Sequence, residues 1–339
     1  GGPSILTQIR FSVGGDPGLV AVISAVRVYD GSTLVGSASV VPGVLATATV
    51  GLNLNLPQGI TKTLSVKVVI APINSASGSS PSYSGVTFDI GIIDFTYTDA
   101  GAVVKTGTYG TAISSKFMLL KSMQTVNSVT LPGNLQNGIV ADVYKFNVTS
   151  NSAGQTANKQ FTFEVTLTDN GTHLDTLSLT TLSLKINGVT ATNVRFTNSA
   201  GQVTDTITAS DPKVYVTFIS GTPELITLAG ATTSVILSGK FRGFSHPADG
   251  DVASIKLIAT DNQVPSSGYR YINSGVTPNN LNAKSWTSPT ANAAAVIQNY
   301  PWSDMSDPAH SFAFGAGTAD AKNASIGVLA NISPQVWLQ

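Results

Sequence analysis

The feature that most constrains this chain is an alternation of apolar and polar residues with a period of two. It is clearest over residues 44–56, where Val, Ala and Leu side chains interleave with Thr47, Thr49, Asn53 and Asn55. Such alternation predicts β-strands with one buried and one solvated face, and helical periodicity is nearly absent. Similar strand-like runs occur at residues 5–13, 64–70, 86–97, 139–149, 161–168, 214–218, 235–241 and 255–259.

Turn-forming residues separate these runs, as at Asp30-Gly31, Leu131-Pro132-Gly133, Asn170-Gly171 and Asn187-Gly188. Short alternating strands divided by such turns are typical of β-sandwiches, which take about 100 residues each. The 339-residue chain is therefore predicted to be all-β, with tandem immunoglobulin-like sandwich domains and extended strand-like termini.

An internal repeat indicates where the domains lie. A basic residue between two apolar ones, Arg27 and again Lys185, precedes each of the Asp30-Gly31 and Asn187-Gly188 hairpins. Two strands precede the second hairpin, whereas only one fits before the first, so domain one is predicted to be one strand short. The predicted domains are 1–118, 119–263 and a loop-rich module or arm at 264–339 that ends in a surplus strand.

The composition favours a stable structural protein outside the cell. Only 11% of residues are charged, Lys+Arg and Asp+Glu are both 18, and the chain contains no cysteine. A balanced charge provides no field that would steer nucleic acid, and it favours association between copies. No segment is long and apolar enough to span a bilayer, and the Gly1-Gly2-Pro3-Ser4 start fits a mature secreted protein without its signal peptide.

One group of motifs resembles a known class of proteins. These are Tyr144 to Thr149 with Ser152-Ala153-Gly154, the Asn187-Gly188 hairpin, and Trp302-Ser303-Asp304 followed by His310-Ser311 and Ala319-Asp320. Over residues 138–320 they resemble large secreted immunoglobulin-like surface proteins, of the S-layer or fibre type, from small-genome candidate-phylum bacteria. The resemblance implies a sandwich fold and a structural role. Where that class continues with a Trp and an Asn-Gly pair, this chain has Ala321-Lys322-Asn323.

Several clusters of His and Asp residues are considered as metal-binding or catalytic sites, but turn formation explains them better. His310 lies near Asp304 and Asp307, which would suit a metal cluster or an acid–base pair, but Asp-Pro and Ser-Asp are ordinary turn formers. His246 lies near Asp249 and Asp251, yet this group lacks the dense spacing of a calcium loop. No nucleophile elbow accompanies His173, His246 or His310. No enzyme activity, metal or cofactor is therefore predicted.

Covalent modification and sugar binding are also considered. Lys67, Lys145, Asp89 and Glu164 are candidates for Lys–Asn type isopeptide crosslinks, although the parity of Lys67, Asp89 and Glu164 favours a solvated face. Four sequons mark candidate glycosylation sites at Asn147, Asn170, Asn323 and Asn331. Aromatic residues in the third segment would stack on sugars if exposed, or pack against a neighbouring domain or subunit: Tyr269, Tyr271, Trp286, Tyr300, Trp302 and Phe312.

The short first domain and the surplus tail together suggest how copies join. An incomplete sandwich exposes a core groove and unpaired strand edges, which a strand from another copy can fill. We expect residues 326–338 of one subunit to complete domain one of the next and so form a homopolymeric filament. The inserted row is predicted to be Ile326, Val328, Ile332, Val336 and Leu338. An S-layer lattice, a glycan-binding adhesin and, more distantly, a viral capsid protein are the alternatives.

Overall fold

The computed structural model confirms the predicted all-β class. It describes residues 2–15, 23–41, 46–71, 87–108, 114, 117–133, 136–168, 176–198, 206–207, 212–218, 225–242, 250–259, 299–306, 321–322 and 329–338. Within these ranges the regular elements are all strands, and no helix is long and apolar enough to cross a membrane. The chain divides into two compact units, Gly1–Leu120 and Lys121–Gln339.

Unit one is a sandwich of two antiparallel sheets. A five-stranded sheet has the order β4-β1-β6-β7, with β8 also paired to β6, and a three-stranded sheet has the order β3-β2-β5. The strands are β1 (Ser4–Gly15), β2 (Ile23–Asp30), β3 (Thr33–Ser39), β4 (Ala46–Leu56), β5 (Leu64–Ile70), β6 (Thr87–Thr98), β7 (Val104–Thr108) and β8 (Phe117–Met118).

The core of unit one lies between these two sheets and is made by the apolar residues of the alternating pattern. Phe11 on β1, Val26 and Val28 on β2, and Ala48 and Val50 on β4 are almost completely buried. Before the β2–β3 hairpin, the described part of unit one contains only β1. The hairpin itself turns at Gly31, whose φ of 60° is one that glycine adopts without strain.

One side of this sandwich is closed by a corner between β3 and β4. Val41 forms a bridge with Thr47 just before β4 begins. At Gly36 on β3 a Cβ atom would lie 2.6 Å from the carbonyl oxygen of Gly51 and equally near the side chains of Val50 and Leu52. The two strands approach this closely only because residue 36 has no side chain.

Among the described residues, unit two contains three sheets. Their orders are β14-β13-β19-β10-β9-β23 with β16 on β13, β15-β17-β12-β20-β24, and β18-β11-β21-β22. The strands are β9 (Gln124–Ser128), β10 (Val140–Ser150), β11 (Thr156–Asn158), β12 (Gln160–Thr168), β13 (Thr176–Ile186), β14 (Val189–Thr190), β15 (Val194–Thr197), β16 (Thr206–Ile207), β17 (Lys213–Phe218), β18 (Leu225–Thr227), β19 (Thr232–Arg242), β20 (Val252–Leu257), β21 (Trp302–Ser303), β22 (Ala321–Lys322), β23 (Leu329–Asn331) and β24 (Gln335–Leu338).

An aromatic cluster fills the core of unit two. Phe146 on β10 packs edge-on against Phe161 and Phe163 of β12, with ring centroids 5.1 and 6.1 Å away. Tyr144 contacts Phe163, and Phe161 contacts Phe218 on β17, again in edge-on geometry. These contacts join the seven-stranded sheet to the five-stranded sheet of unit two, and such pairs add to the stability gained from burial.

The predicted Asn187-Gly188 hairpin joins β13 to β14. Both turn residues have positive φ, 50° and 84°, as a type I′ turn requires. Close to it, Asp142 accepts hydrogen bonds from the Lys185 ammonium at 2.7 Å and the Ser238 hydroxyl at 2.6 Å. Burial works to raise the pKa of Asp142, but these bonds outweigh it and hold the pKa below its usual value.

The described strands of the predicted third segment, 264–339, all pair with strands of unit two or with each other. β21 joins β11, β24 joins β20, and β23 joins β9 in parallel. They form no sheet of their own within the described ranges, because strands of two to four residues need longer neighbours to bury their side chains.

Candidate assembly surface

In the three-stranded sheet of unit one, the inward-facing side chains are more exposed on β5 than on β2. Val26 and Val28 of β2 are fully buried, and they pair directly with Val68 and Val66 of β5. Directly paired residues point to the same face of a sheet, so Val66 and Val68 face the core. Val68 is nevertheless only half-buried, and Val66 is 39% exposed.

In the five-stranded sheet of unit one, the inward-facing side chains are likewise less buried on β6 than on β1. The inward residues of β1 are buried, whereas their partners on β6 are half-buried although they pack against the same core. We call the incompletely covered residues of β5 and β6 the open side of unit one: Leu64, Val66, Val68, Ile70, Ile90, Ile92, Phe95 and Tyr97.

The C-terminal tail covers the corresponding edge of unit two. β24 pairs antiparallel with β20, whose inward residues Ala253, Ile255 and Leu257 are completely buried. Trp337 of β24 points into the core with 5% of its surface exposed, and its indole nitrogen donates to the carbonyl of Val143 at 3.3 Å. An added strand with one large side chain therefore completes the inward row at this edge.

Hydrogen bonds hold the rest of the tail against unit two. The Tyr144 hydroxyl donates to the carbonyl of Ser333 at 3.0 Å, and burial raises its pKa, so it remains a donor. The Leu131 amide donates to the Gln335 side-chain oxygen at 3.1 Å, and the Ser333 amide donates to the Ser128 hydroxyl at 3.0 Å. In the single chain the tail is therefore held in place at both β9 and β20.

The structure describes part of the predicted inserted row. Ile326 and Val328 lie outside the described residues, Ile332 is half-buried, and Leu338 pairs with Val252. Val336 was expected to point inwards, yet it is 47% exposed while Trp337 is buried. On its own unit two, the last strand thus has the opposite parity to the predicted one. Insertion of this row into another copy stays a prediction.

The Trp302-Ser303-Asp304 motif is buried in unit two and is held there by hydrogen bonds. The carboxylate of Asp304 accepts the amide of Lys121 at 2.9 Å and the amide of Ser306 at 3.3 Å. The Lys121 ammonium donates to the carbonyl of Met305 at 2.6 Å, and Met305 has a positive φ of 52°. These bonds anchor the start of unit two to a segment 180 residues later in the chain, so the motif has a structural use.

The residues considered for metal binding or catalysis are not brought together in the described part of the chain. His173, His246, His310, Asp249 and Asp307 lie outside it. Asp251 and Asp304 are buried, and no group of three His, Cys, Asp or Glu side chains placed to hold a metal occurs among the described residues.

The isopeptide candidates divide between the two units, Lys67 and Asp89 in unit one and Lys145 and Glu164 in unit two. The Lys67 ammonium lies 4.6 Å from the centre of the Tyr29 ring, and Glu164 pairs across strands with Lys213 and Lys256. Among the described residues, the ion pairs join none of Lys67, Lys145, Asp89 and Glu164 to one another. Lys67 is exposed as predicted from its parity, whereas Asp89, Lys145 and Glu164 are half-buried.

Two of the candidate glycosylation sites are described. Asn147 is half-buried on β10, which is paired on both sides, and Asn331 is exposed at the end of β23. Asn170 and Asn323 lie outside the described residues. Of the two, Asn331 is the more accessible to a modifying enzyme.

Two of the six candidate sugar-stacking aromatic residues are fully buried, so they cannot stack on an external sugar. Trp302 and Tyr300 both have no exposed surface. Burial raises the pKa of Tyr300, partly offset by the neighbouring Asn158 amide. Tyr269, Tyr271, Trp286 and Phe312 lie outside the described residues. The short strands around Trp302 give no alternation from which its burial could be predicted.

Comparison with known proteins identifies no family. No protein-family model matches the chain, and no curated protein does. Among solved structures, the chain is similar to the major pilin SpaA of Corynebacterium diphtheriae, described as pointing to a modular pilus assembly with stabilizing isopeptide bonds. The identity is 11%, the TM-score is 0.20, and the match covers 77% of this chain and 59% of the pilin chain. The chain thus spans less than two thirds of that pilin, and a likeness this low carries no argument about function.

Proposed function

We propose that this protein is a structural subunit of an extracellular surface filament whose copies join by strand complementation. The C-terminal segment, residues 326–338, of one copy completes unit one of the next. The observation that carries the proposal is the contrast between two sandwich edges in the same chain. On β5 of unit one, the inward residues Val66 and Ile70 are each 39% exposed, whereas on β20 of unit two, to which the tail adds a strand, the inward row is fully buried.

The chemistry of the tail suits this role. Residues 326–339 contain no Asp, Glu, Lys, Arg or His. A strand without charge can enter an apolar groove without the large cost of desolvating an ion. Its apolar residues alternate with polar ones, so that a row of side chains is buried while the backbone pairs with an edge strand.

Assembly in this form requires that the tail leave its position on unit two. Release exposes Trp337 and the edge of β20, and truncating a large buried aromatic typically costs about 3–5 kcal/mol. Burying the five residues of the predicted row is worth roughly 8–15 kcal/mol as an upper estimate. Assembly therefore exchanges the burial of Trp337 on unit two for burial of the predicted row in unit one of another copy.

The composition supports a location outside the cell. A chain with 11% charged residues, no cysteine and stacked β-sheets depends neither on disulfides nor on a charged partner for its stability. The exposed Asn331 sequon is compatible with glycosylation there.

The decisive experiment compares assembly of the full-length chain with that of a chain ending at residue 324, by sedimentation and negative-stain imaging. We expect filaments from the full-length chain and monomers from the shortened one. Val328→Asp should also stay monomeric, whereas Asn331→Asp, a control that adds the same charge at the opposite parity, should assemble. Undiminished filaments from the shortened chain would refute the proposal, and a flat lattice would favour an S-layer protein instead.

A further inference from the structure

We infer that the incoming strand adds to the edge of β5 that faces away from β2, so that it extends the three-stranded sheet of unit one and covers the open side. This inference rests on the proposed function and deepens it, because it names the acceptor. It follows from the state of each strand edge in unit one.

The edges of β3 and β4 are closed against each other. The bridge between Val41 and Thr47 ties the two strands where the chain passes from one sheet to the other. At Gly36 of β3, the space beside the strand is already filled by the backbone and side chains of residues 50–52 of β4. A further strand would have to displace these contacts.

The edge formed by β7 and β8 is interrupted and protected. β7 has only five residues, and its Lys105 is held in an ion pair with Asp99 at 2.7 Å. The Phe95 ring lies over Gly107, so that a Cβ there would be 2.3 Å from the ring. Between β7 and β8, the amide of Ser114 already donates to the carbonyl of Ile90 on β6. Short, charged and broken edges of this kind resist the addition of a strand.

The edge of β5 is longer and is not interrupted. It is a continuous seven-residue strand without Pro or Gly, and within the described residues it pairs only with β2. Its one charged residue, Lys67, faces away from the core and lies over the Tyr29 ring on β2. A strand added here would extend the inward row of β5, whose Leu64 and Val68 pack against the same core as the half-buried Phe95 and Tyr97 of β6.

The occupant that fits this edge is the tail of a second copy. Its last strand, β24, already completes a sandwich edge at β20, and residues 326–339 are uncharged, as is the inward row of β5. Residues 326–333, which precede Pro334, form an eight-residue stretch free of proline, and β5 offers seven residues to pair with. Proline lacks the amide hydrogen needed for pairing, so the stretch before it supplies the continuous contact.

A matched pair of variants tests the acceptor in the full-length chain. Val66→Lys places a charge on the inward row of β5, and Val104→Lys places the same charge on β7, where the native residue is 65% exposed. We expect Val66→Lys to lower the assembled fraction about tenfold or more, because the charge would have to be buried, and Val104→Lys to assemble as the unmodified chain does.

Hydrogen exchange on the unmodified chain provides a second measurement that needs no substitution. On assembly, the amides of β5 and of residues 326–333 should both become protected, while those of β7 should not change. If the chain ending at residue 324 fails to assemble but Val66→Lys assembles and β5 gains no protection, this inference is wrong and the proposed function stands. If the shortened chain still assembles, both are wrong.

Discussion

Replacing Trp337 by alanine should strongly destabilise unit two of the unassembled protein. The indole is 5% exposed and donates a hydrogen bond to the Val143 carbonyl at 3.3 Å. Removing a buried Trp side chain typically costs about 3–5 kcal/mol, and loss of the hydrogen bond leaves the carbonyl less well satisfied. The matched control is Val336→Ala in the same strand, since Val336 is 47% exposed and should cost about 1 kcal/mol or less.

The assay is denaturant-induced unfolding of the monomer, followed by far-UV circular dichroism and by tryptophan fluorescence. Trp302 is fully buried in unit two and is retained in both variants, so its emission reports the unfolding of that unit. We expect the transition of unit two to move to lower denaturant in Trp337→Ala, while the transition of unit one stays in place. If Trp337→Ala lowers the stability of unit two as little as Val336→Ala does, the tail does not pack on unit two in solution and the argument from the β20 edge fails.

Three further predictions concern the scaffold. Gly36→Ala should destabilise unit one by about 1–3 kcal/mol in urea unfolding, because its Cβ would lie 2.6 Å from the Gly51 carbonyl oxygen, whereas Gly51→Ala meets no atom within 4 Å and should have little steric effect. Asp142, whose pKa is lowered in the folded protein, stabilises it above about pH 4, so on acidification the urea midpoint should fall more in the unmodified chain than in Asp142→Asn. Asp304→Ala should cost about 1–3 kcal/mol in thermal or urea unfolding, because two backbone amides lose their acceptor, and Asp304→Asn should recover part of the loss.

Period-two alternation was enough to predict most of the long strands, whereas β2 and β13 were indicated only through the hairpins that they enter. The run at 64–70 matches β5 residue for residue, and the runs at 5–13 and 161–168 differ from β1 and β12 by one or two residues at an end. The Asn187-Gly188 turn was equally predictable, because an Asn-Gly pair favours the positive φ that both residues adopt. These features are local, since side-chain parity and turn conformation are set by neighbouring residues.

The short strands could not be predicted in the same way. β11 and β21 have three and two residues, too few for any period to show, and both are completely buried. The burial of Trp302 depends on pairing between Asn158 and Trp302, which lie far apart in the sequence. A pairing of this kind leaves no pattern in the local sequence, and the surrounding Ser, Asn and Pro residues indicate a surface loop instead.

The tail shows why parity alone does not decide which residues are buried. Alternation divides its residues into two sets, and the set that contains Val336 looked apolar because Ile332 and Leu338 share it. Near its end, however, the other set contains Trp337, whose larger apolar surface gains more from burial than a valine does. The Ser333-Pro334 step separates β23 from β24, so the two halves need not present the same set to the core. The inward position of Trp337 on unit two therefore does not determine which side chains of residues 326–333 a second copy would bury once the tail has left unit two.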